Sequence, residues 1–245
     1  MILIDTIYQR VLAAANKEQR GYITPQEFNL FANQAQMDIF DQYFYDVDKA
    51  SRVHGNETET SDMLDLLNEK IDIFEMKNQT VALGVTLPSM PAFAEIYILG
   101  NIIHTNPGGK SREVERVSEK ELMTILQSPL TQPRNERPIY TRQGLGAGGN
   151  QIQVWGNPTG VVGPITTNIV CNYTRRPVSA NWNFVVVNGY AQYNAASSLN
   201  FELHPSEENN LVYKILELAG IVMKDANLYQ IASQEEIKDI QQEKS

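Results

Sequence analysis

Read from the amino terminus, apolar side chains first recur at helical spacing. Ile4, Ile7, Tyr8, Val11 and Leu12 predict a helix from Ile2 to about Glu18, with Gly21 as its stop. Thr24-Pro25-Gln26-Glu27 then supplies a cap hydroxyl, a proline for the first helical position and a glutamate able to reach back, so a second helix begins there. Along it Phe28, Phe31, Ala35, Ile39 and Tyr43 form one stripe, with Leu30, Met37, Phe40 and Phe44 beside it. That face is wider than a single contact needs, and the helix is expected to pack on two sides. Gly55 to Asp62 reads as a polar linker, followed by Met63, Leu64, Leu66, Leu67 and Ile71 as a short helix or an extended arm.

The period then changes. Val81–Leu87 and Ala94–Ile103 are β-rich runs separated by Pro88 and Pro91. Ser118-Glu119-Lys120-Glu121 is a second capping box, which predicts a short helix carrying Leu122, Ile125 and Leu126 between strands. Pro138–Thr141, Gln151–Trp155, Thr166–Tyr173 and Phe184–Val187 read as further strands, with antiparallel pairing expected. Pro205 opens a last helix bearing Leu211, Ile215, Leu216, Leu218 and Ala219, which Gly220 is expected to close. Beyond Asp225, Leu228, Ile231, Ile237 and Ile240 lie among Gln, Glu and Lys, enough for an amphipathic helix that docks elsewhere.

The fold class is therefore α+β: an N-terminal helical hairpin or bundle and C-terminal helices flanking an antiparallel β domain. The expected divisions are 1–80, helical; 81–204, a charge-poor antiparallel β domain with a short helical insertion; and 205–245, C-terminal helices and docking tail.

Charge sharpens this picture. The chain of 245 residues carries a net charge of −9, which argues against a nucleic-acid coat as its main role. Residues 1–80, 81–200 and 201–245 carry −7, +3 and −5. Between 143 and 201, Arg175 and Arg176 are the only charged residues in 59, and nine asparagines stand among Gly, Thr and Val. Charge depletion is the mark of a buried interface core, although a β-sandwich with Asn-rich loops has the same composition. The single cysteine, Cys171, rules out an intramolecular disulfide and fits a reducing compartment. Asp5 and Arg10 interrupt the start where a secretion signal needs an apolar run, and no run is apolar enough for a membrane span.

Motifs for chemistry fail on context. Gly144-Leu-Gly-Ala-Gly-Gly149 matches GxGxxG, but a strand follows where a dinucleotide fold needs a helix, so a hairpin loop is expected. Gly109-Lys110-Ser111 has His104 where a phosphate loop needs its first glycine. Asp46, Asp48 and Glu57 fall at positions 1, 3 and 12 of a calcium loop, yet Ser51 occupies the position that needs glycine. His54, His104 and His204 stand alone, without metal-ligand spacing. Cys171 lies in an alternating strand pattern that favours an inert buried thiol. No catalytic, cofactor or metal site is expected.

Two segments carry a family resemblance. Arg20-Gly-Tyr-Ile-Thr-Pro-Gln-Glu-Phe-Asn-Leu-Phe-Ala-Asn-Gln-Ala-Gln-Met-Asp-Ile-Phe-Asp-Gln-Tyr-Phe-Tyr-Asp46 resembles the opening of virion proteins from crAss-like tailed phages. The closing segment, Phe201-Glu-Leu-His-Pro-Ser-Glu-Glu through Ile215-Leu-Glu-Leu-Ala-Gly-Ile221, is similar as well. The β region from about 81 to 200 is unmatched. The resemblance implies a non-enzymatic ring or adaptor protein of the head-to-tail connector, a virion component of the portal–tail vertex made in the host cytoplasm. Its implied partners are about a dozen copies of itself in a ring, the portal protein and adjacent tail or ring proteins, with sequence-independent passage of DNA. An acidic lumen would let DNA slide without sticking. On this reading Phe28, Phe31, Phe40 and Phe44 build the helical core and part of the subunit contact, and Leu228, Ile231, Ile237 and Ile240 dock on a neighbour. The alternatives are a tail-tube, minor capsid or cargo protein, and a glycan-binding tail protein stacking sugars on Trp155, Trp182 and Tyr190.

Overall fold

The structure, a computed structural model, describes residues 1–17, 23–52, 58–81, 96–106, 108–146, 149–158, 160–187, 189–222, 234 and 238. Its first half runs α1 (Ile4–Lys17), α2 (Pro25–Arg52), α3 (Thr58–Asp72), β1 (Glu75–Thr80), β2 (Ile96–Thr105), β3 (Ser111–Glu113), β4 (Glu115–Arg116) and α4 (Glu119–Gln127). Then come β5 (Ile139–Gly146), β6 (Gly149–Gly156), β7 (Gly163–Ile165), β8 (Ile169–Arg175), β9 (Phe184–Val187), β10 (Tyr190–Tyr193), a 3₁₀ turn (Pro205–Glu207) and α5 (Glu208–Val222). The class is α+β, with helices at both ends and antiparallel sheets between.

The chain divides into a helical unit, Met1–Ile73 with Pro177–Ser245, and a β unit, Phe74–Arg176. In the helical unit α2 packs against α3 and α5, and α1 packs against α5. Ile4, Ile7 and Val11, Phe28 and Phe40, and Leu211 and Ile215 are fully buried there. Thr24 caps α2 as expected: its Oγ1 accepts from the Glu27 N–H at 3.3 Å, while Glu27 Oε2 accepts from the Thr24 N–H at 2.9 Å. The Thr24 N–H and the Thr24 hydroxyl, which donates to the same oxygen at 2.7 Å, lower the pKa of the Glu27 carboxyl. The N-terminus of α1 is capped from far along the chain, by Asn200 Oδ1 on the Ile4 N–H at 3.1 Å.

The expected boundary at 204 is not where the units part. After Arg176 the chain leaves the β unit and runs extended along α2, tied to it by side-chain amides. Asn29 bonds both backbone groups of Trp182, accepting from its N–H at 2.7 Å and donating to its carbonyl at 3.1 Å. Asn33 donates to the Ala180 carbonyl at 3.0 Å and Gln36 to the Val178 carbonyl at 2.8 Å. The match is one of periods: four helical residues advance about 6 Å and two extended residues about 6.7 Å. The step from Asn33 to Gln36 is only three residues, about 4.5 Å, and the extra methylene of glutamine spans the difference. Trp182 sits on this segment, buried against Tyr8 at 4.3 Å between ring centroids, and its indole N–H donates to Asp5 Oδ1 at 3.0 Å.

The β unit holds two four-stranded sheets, ordered β1-β8-β2-β3 and β4-β5-β6-β7. All pairings are antiparallel except the short parallel one between β4 and β5. Ile102, Ile169, Cys171 and Tyr173 from the first sheet share one core with Tyr140, Ile152, Val154 and Ile165 from the second. On the second sheet's other face, Leu122 of α4 packs with Val117 and Ile139, with Trp155 against them. The Ser118–Glu121 capping box at the start of α4 forms as expected, and its bonds hold the Glu121 carboxyl low.

Several details differ from the expected elements. The Gly55–Asp62 linker gives way to helix at Thr58, α5 runs through a buried Gly220 to Val222, and β1 was not expected at all. Its sequence, Glu-Met-Lys-Asn-Gln-Thr, is polar on both faces because it is an edge strand with only Met76 and Gln79 half-buried. The expected strand Val81–Leu87 falls, beyond Val81, outside the described residues, as do Gly21 and the start of the run at Ala94.

Candidate interaction surfaces

The residues chosen from the sequence for subunit contacts divide. Phe28 and Phe40 have no exposed surface, so neither can touch a neighbour. Phe28 meets Tyr8 edge-on at 4.8 Å, and Phe40 meets Phe44 at 5.0 Å, while Phe31 and Phe44 are half-buried. The broad apolar face of α2 does pack on more than one side, but its neighbours are α3, α5 and the 177–183 segment of the same chain. Leu228, Ile231, Ile237 and Ile240 lie outside the described residues.

Leu30 and Tyr45 of α2 are exposed singly, whereas three exposed apolar residues in succession, Val185 to Val187, lie elsewhere. β9 and β10 form a two-stranded hairpin in which Val187 pairs with Tyr190 and Phe184 with Tyr193. Gly189, at φ of +85°, supplies the left-handed residue this tight turn needs. Alternation sends Phe184, Val186, Ala191 and Tyr193 to one face and Val185, Val187, Tyr190 and Gln192 to the other. The first face is anchored at its base, where the Phe184 and Tyr193 rings each stack at 5.8 Å from Trp182. The second is open, with Val185 51%, Val187 41% and Tyr190 77% exposed, and beyond its base the first is open too, at Val186. No charge guards the hairpin: no residue from Pro177 to Phe201 is ionisable as Asp, Glu, Lys or Arg. Natural edge strands are normally blunted by such charges.

Charge separates by unit. The β unit contains ten Lys and Arg against seven Asp and Glu, a balance of +3, whereas the helical unit contains ten against 22, a balance of −12.

Groups with chemical potential are held in structural roles. Cys171 is buried, its thiol pushed up to about 11 by desolvation, as expected of an inert side chain. His204 caps the 3₁₀ turn, its Nδ1 lying 2.8 Å from Ser206 Oγ. His54 lies outside the described residues. Asp46 and Asp48 belong to helix α2, not to a calcium loop. Within the glycine-rich motif, Gly146 ends β5 and pairs with Gly149, which begins β6. Gly109, at φ of +77°, turns β2 into β3. Of the aromatic residues weighed for sugar stacking, Trp182 is buried and Trp155 half-buried against the α4 cluster, leaving Tyr190 exposed by itself. A cleft of about 380 Å³ in the β unit is lined by Ile102, Val114 and Tyr140 together with Glu113, Glu115 and Arg116, so its charged lining is acidic by one. Among the described residues no three His, Cys, Asp or Glu side chains are placed to hold a metal ion, and no helix is long and apolar enough to cross a membrane.

His104 is buried within the β unit, and desolvation lowers its pKa from the ordinary 6.5. The unfolded chain therefore takes up this proton at a higher pH than the folded chain does. Stability is full above about pH 6.5 and falls as pH drops through 6.5 toward the folded-state value. Urea midpoints between about pH 7.5 and 5.5 should fall for the native chain and fall less for His104→Leu. Parallel slopes would reject the assignment.

Neither protein-family models nor curated proteins give a match to this chain, so its functional reading rests on the surfaces described above.

Proposed function

We propose that this chain is a structural virion protein of a tailed phage, a ring or adaptor subunit of the portal–tail connector, and not an enzyme. The observation that carries the reading is the charge-free β9–β10 hairpin, which presents three large apolar side chains to solvent on one face. Exposed apolar surface of this kind is costly in water and marks a protein contact. The resemblance of residues 20–46 and 201–221 to virion proteins of crAss-like phages points to the same setting. A subunit with one donor surface and a different acceptor surface closes into a ring when the rotation between copies fits, and leaves a channel for DNA. A net charge of −9 suits such a channel, since it removes the phosphate attraction that would slow passage.

The test is native mass spectrometry with negative-stain imaging of the full chain, alone and with the portal protein of the same phage. The expected result is a closed ring of about a dozen copies, formed alone or on the portal. A monomer that ignores the portal would overturn the proposal. Removing residues 225–245, with Leu228, Ile231, Ile237 and Ile240, is expected to abolish assembly on the portal while the urea midpoint stays unchanged. Unaltered assembly would remove the tail from the contact.

A further inference from the structure

We infer that the β9–β10 hairpin of one copy of this chain docks on the β unit of a second copy, a head-to-tail contact. The inference rests on the reading of the chain as a self-assembling virion subunit, and it names the donor hairpin and the unit that receives it.

Three properties of the hairpin call for an occupant. A two-stranded hairpin is marginal by itself, and this one is held only at its base, where Phe184 and Tyr193 stack on Trp182, while Val186 on that same face is 63% exposed. Its other face carries Val185, Val187 and Tyr190, which remain exposed in the isolated chain. Its outer edges pair with no third strand among the described residues, so their backbone N–H and C=O groups can extend a sheet.

Charge then selects the occupant. The hairpin belongs to the helical unit, whose balance is −12. A symmetric contact, hairpin to hairpin, would bring two such units together and oppose itself by like-charge repulsion. The β unit of another copy carries +3, so the same hairpin meets an attractive field there. Each copy retains a free hairpin at one end of the contact and a free β unit at the other. This is a heterologous interface, which propagates around an axis instead of stopping at a dimer.

The full-length chain and its Val185→Glu, Val187→Glu double variant provide the test. Both positions are exposed, so the variant is expected to keep the native circular dichroism spectrum and urea midpoint. At concentrations where the native chain associates in sedimentation velocity, the variant alone should remain monomeric. Its β unit is intact, so a tagged variant should still capture the untagged native chain and, at equal amounts, shorten native assemblies. Raising sodium chloride from about 50 to about 500 mM should weaken native association, because opposite charges are screened.

Association of the variant equal to that of the native chain would overturn the proposal. So would native association in which the variant takes no part, or which strengthens with salt, since both describe a symmetric contact of helical units. A native chain that stays monomeric throughout would overturn it as well. Portal binding is read separately: rings that form through the hairpin but ignore the portal would refute the connector assignment and leave this contact standing.

Discussion

Replacing Glu207 by alanine is expected to destabilise the helical unit by about 3–5 kcal/mol, the cost of breaking a buried ion pair from one side. Glu207 begins the last helical region, yet its side chain is only 3% exposed, and its Oε1 lies 2.6 Å from Lys70 Nζ on α3, itself 14% exposed. Glu207 Oε2 accepts from Asn210 Nδ2 at 2.8 Å, and the Lys70 ammonium lies 5.7 Å from the centre of the Tyr43 ring on α2. The pair thus joins α3 to the 3₁₀ turn that leads into α5, beside α2. Alanine would leave the ammonium in a site with little water, which is why the loss exceeds that of an exposed pair, about 0–1 kcal/mol. Removing both charges together, as Lys70→Met with Glu207→Leu, should recover most of the loss, because a packed apolar pair avoids desolvating either ion. Urea unfolding followed by far-UV circular dichroism reads both results. A single variant within about 1 kcal/mol of the native chain would show that water reaches the pair.

The second large effect is expected at Trp182. Truncation to alanine should cost about 3–5 kcal/mol, in the range for deleting a buried aromatic side chain. Three rings would lose their partner: Tyr8 at 4.3 Å and Phe184 and Tyr193 at 5.8 Å each. Asp5 would lose the indole donor at 3.0 Å. The base of the β9–β10 hairpin would go with them, so Trp182→Ala should also weaken any association that depends on the hairpin. Trp182→Phe keeps a ring but no N–H and should recover part of the stability. With two tryptophans in the chain, Trp155→Phe leaves Trp182 as the fluorescent reference for this site, and the Trp182 variants are followed by far-UV circular dichroism. A native-like urea midpoint in Trp182→Ala would mean that the Asn29, Asn33 and Gln36 bonds hold the segment without the ring.

The elements with strong periodicity were legible before any coordinates. The stripe from Phe28 to Tyr43, the capping boxes at Thr24 and Ser118, and the alternation of Ile169, Cys171 and Tyr173 all take the forms expected of them. What they lack is a destination. The phenylalanines of α2 read as equally suited to a core or an interface, because burial inside one chain and burial between two use the same side chains. Coverage by α3, α5 and the 177–183 segment assigned Phe28 and Phe40 to the core.

The hairpin presents the converse case. Phe184–Val187 was visible as a strand, but a run of valines is ordinarily a buried one, and exposure depends on what the rest of the chain covers. The amide stripe of Asn29, Asn33 and Gln36 is hard to read from sequence for a similar reason: polar residues on a helix read as its solvent side. Their spacing of four and three residues, set inside an apolar surface, was the available signal.

Local sequence by itself determined the helices, their caps, most strands and the absence of charge from 177 to 201, because these depend on propensity and period within a few residues. Tertiary structure alone decided which of the charge-poor strands are enclosed. Strands β5 to β8 close into the sandwich of the β unit. Pro177–Asn183 instead finds its hydrogen bonds on α2, more than 140 residues earlier in the chain, and thereby carries an uncovered hairpin into the acidic helical unit. That pairing of distant amides and backbone groups has no local signature, since it depends on two periods coming into register only after the helices have packed.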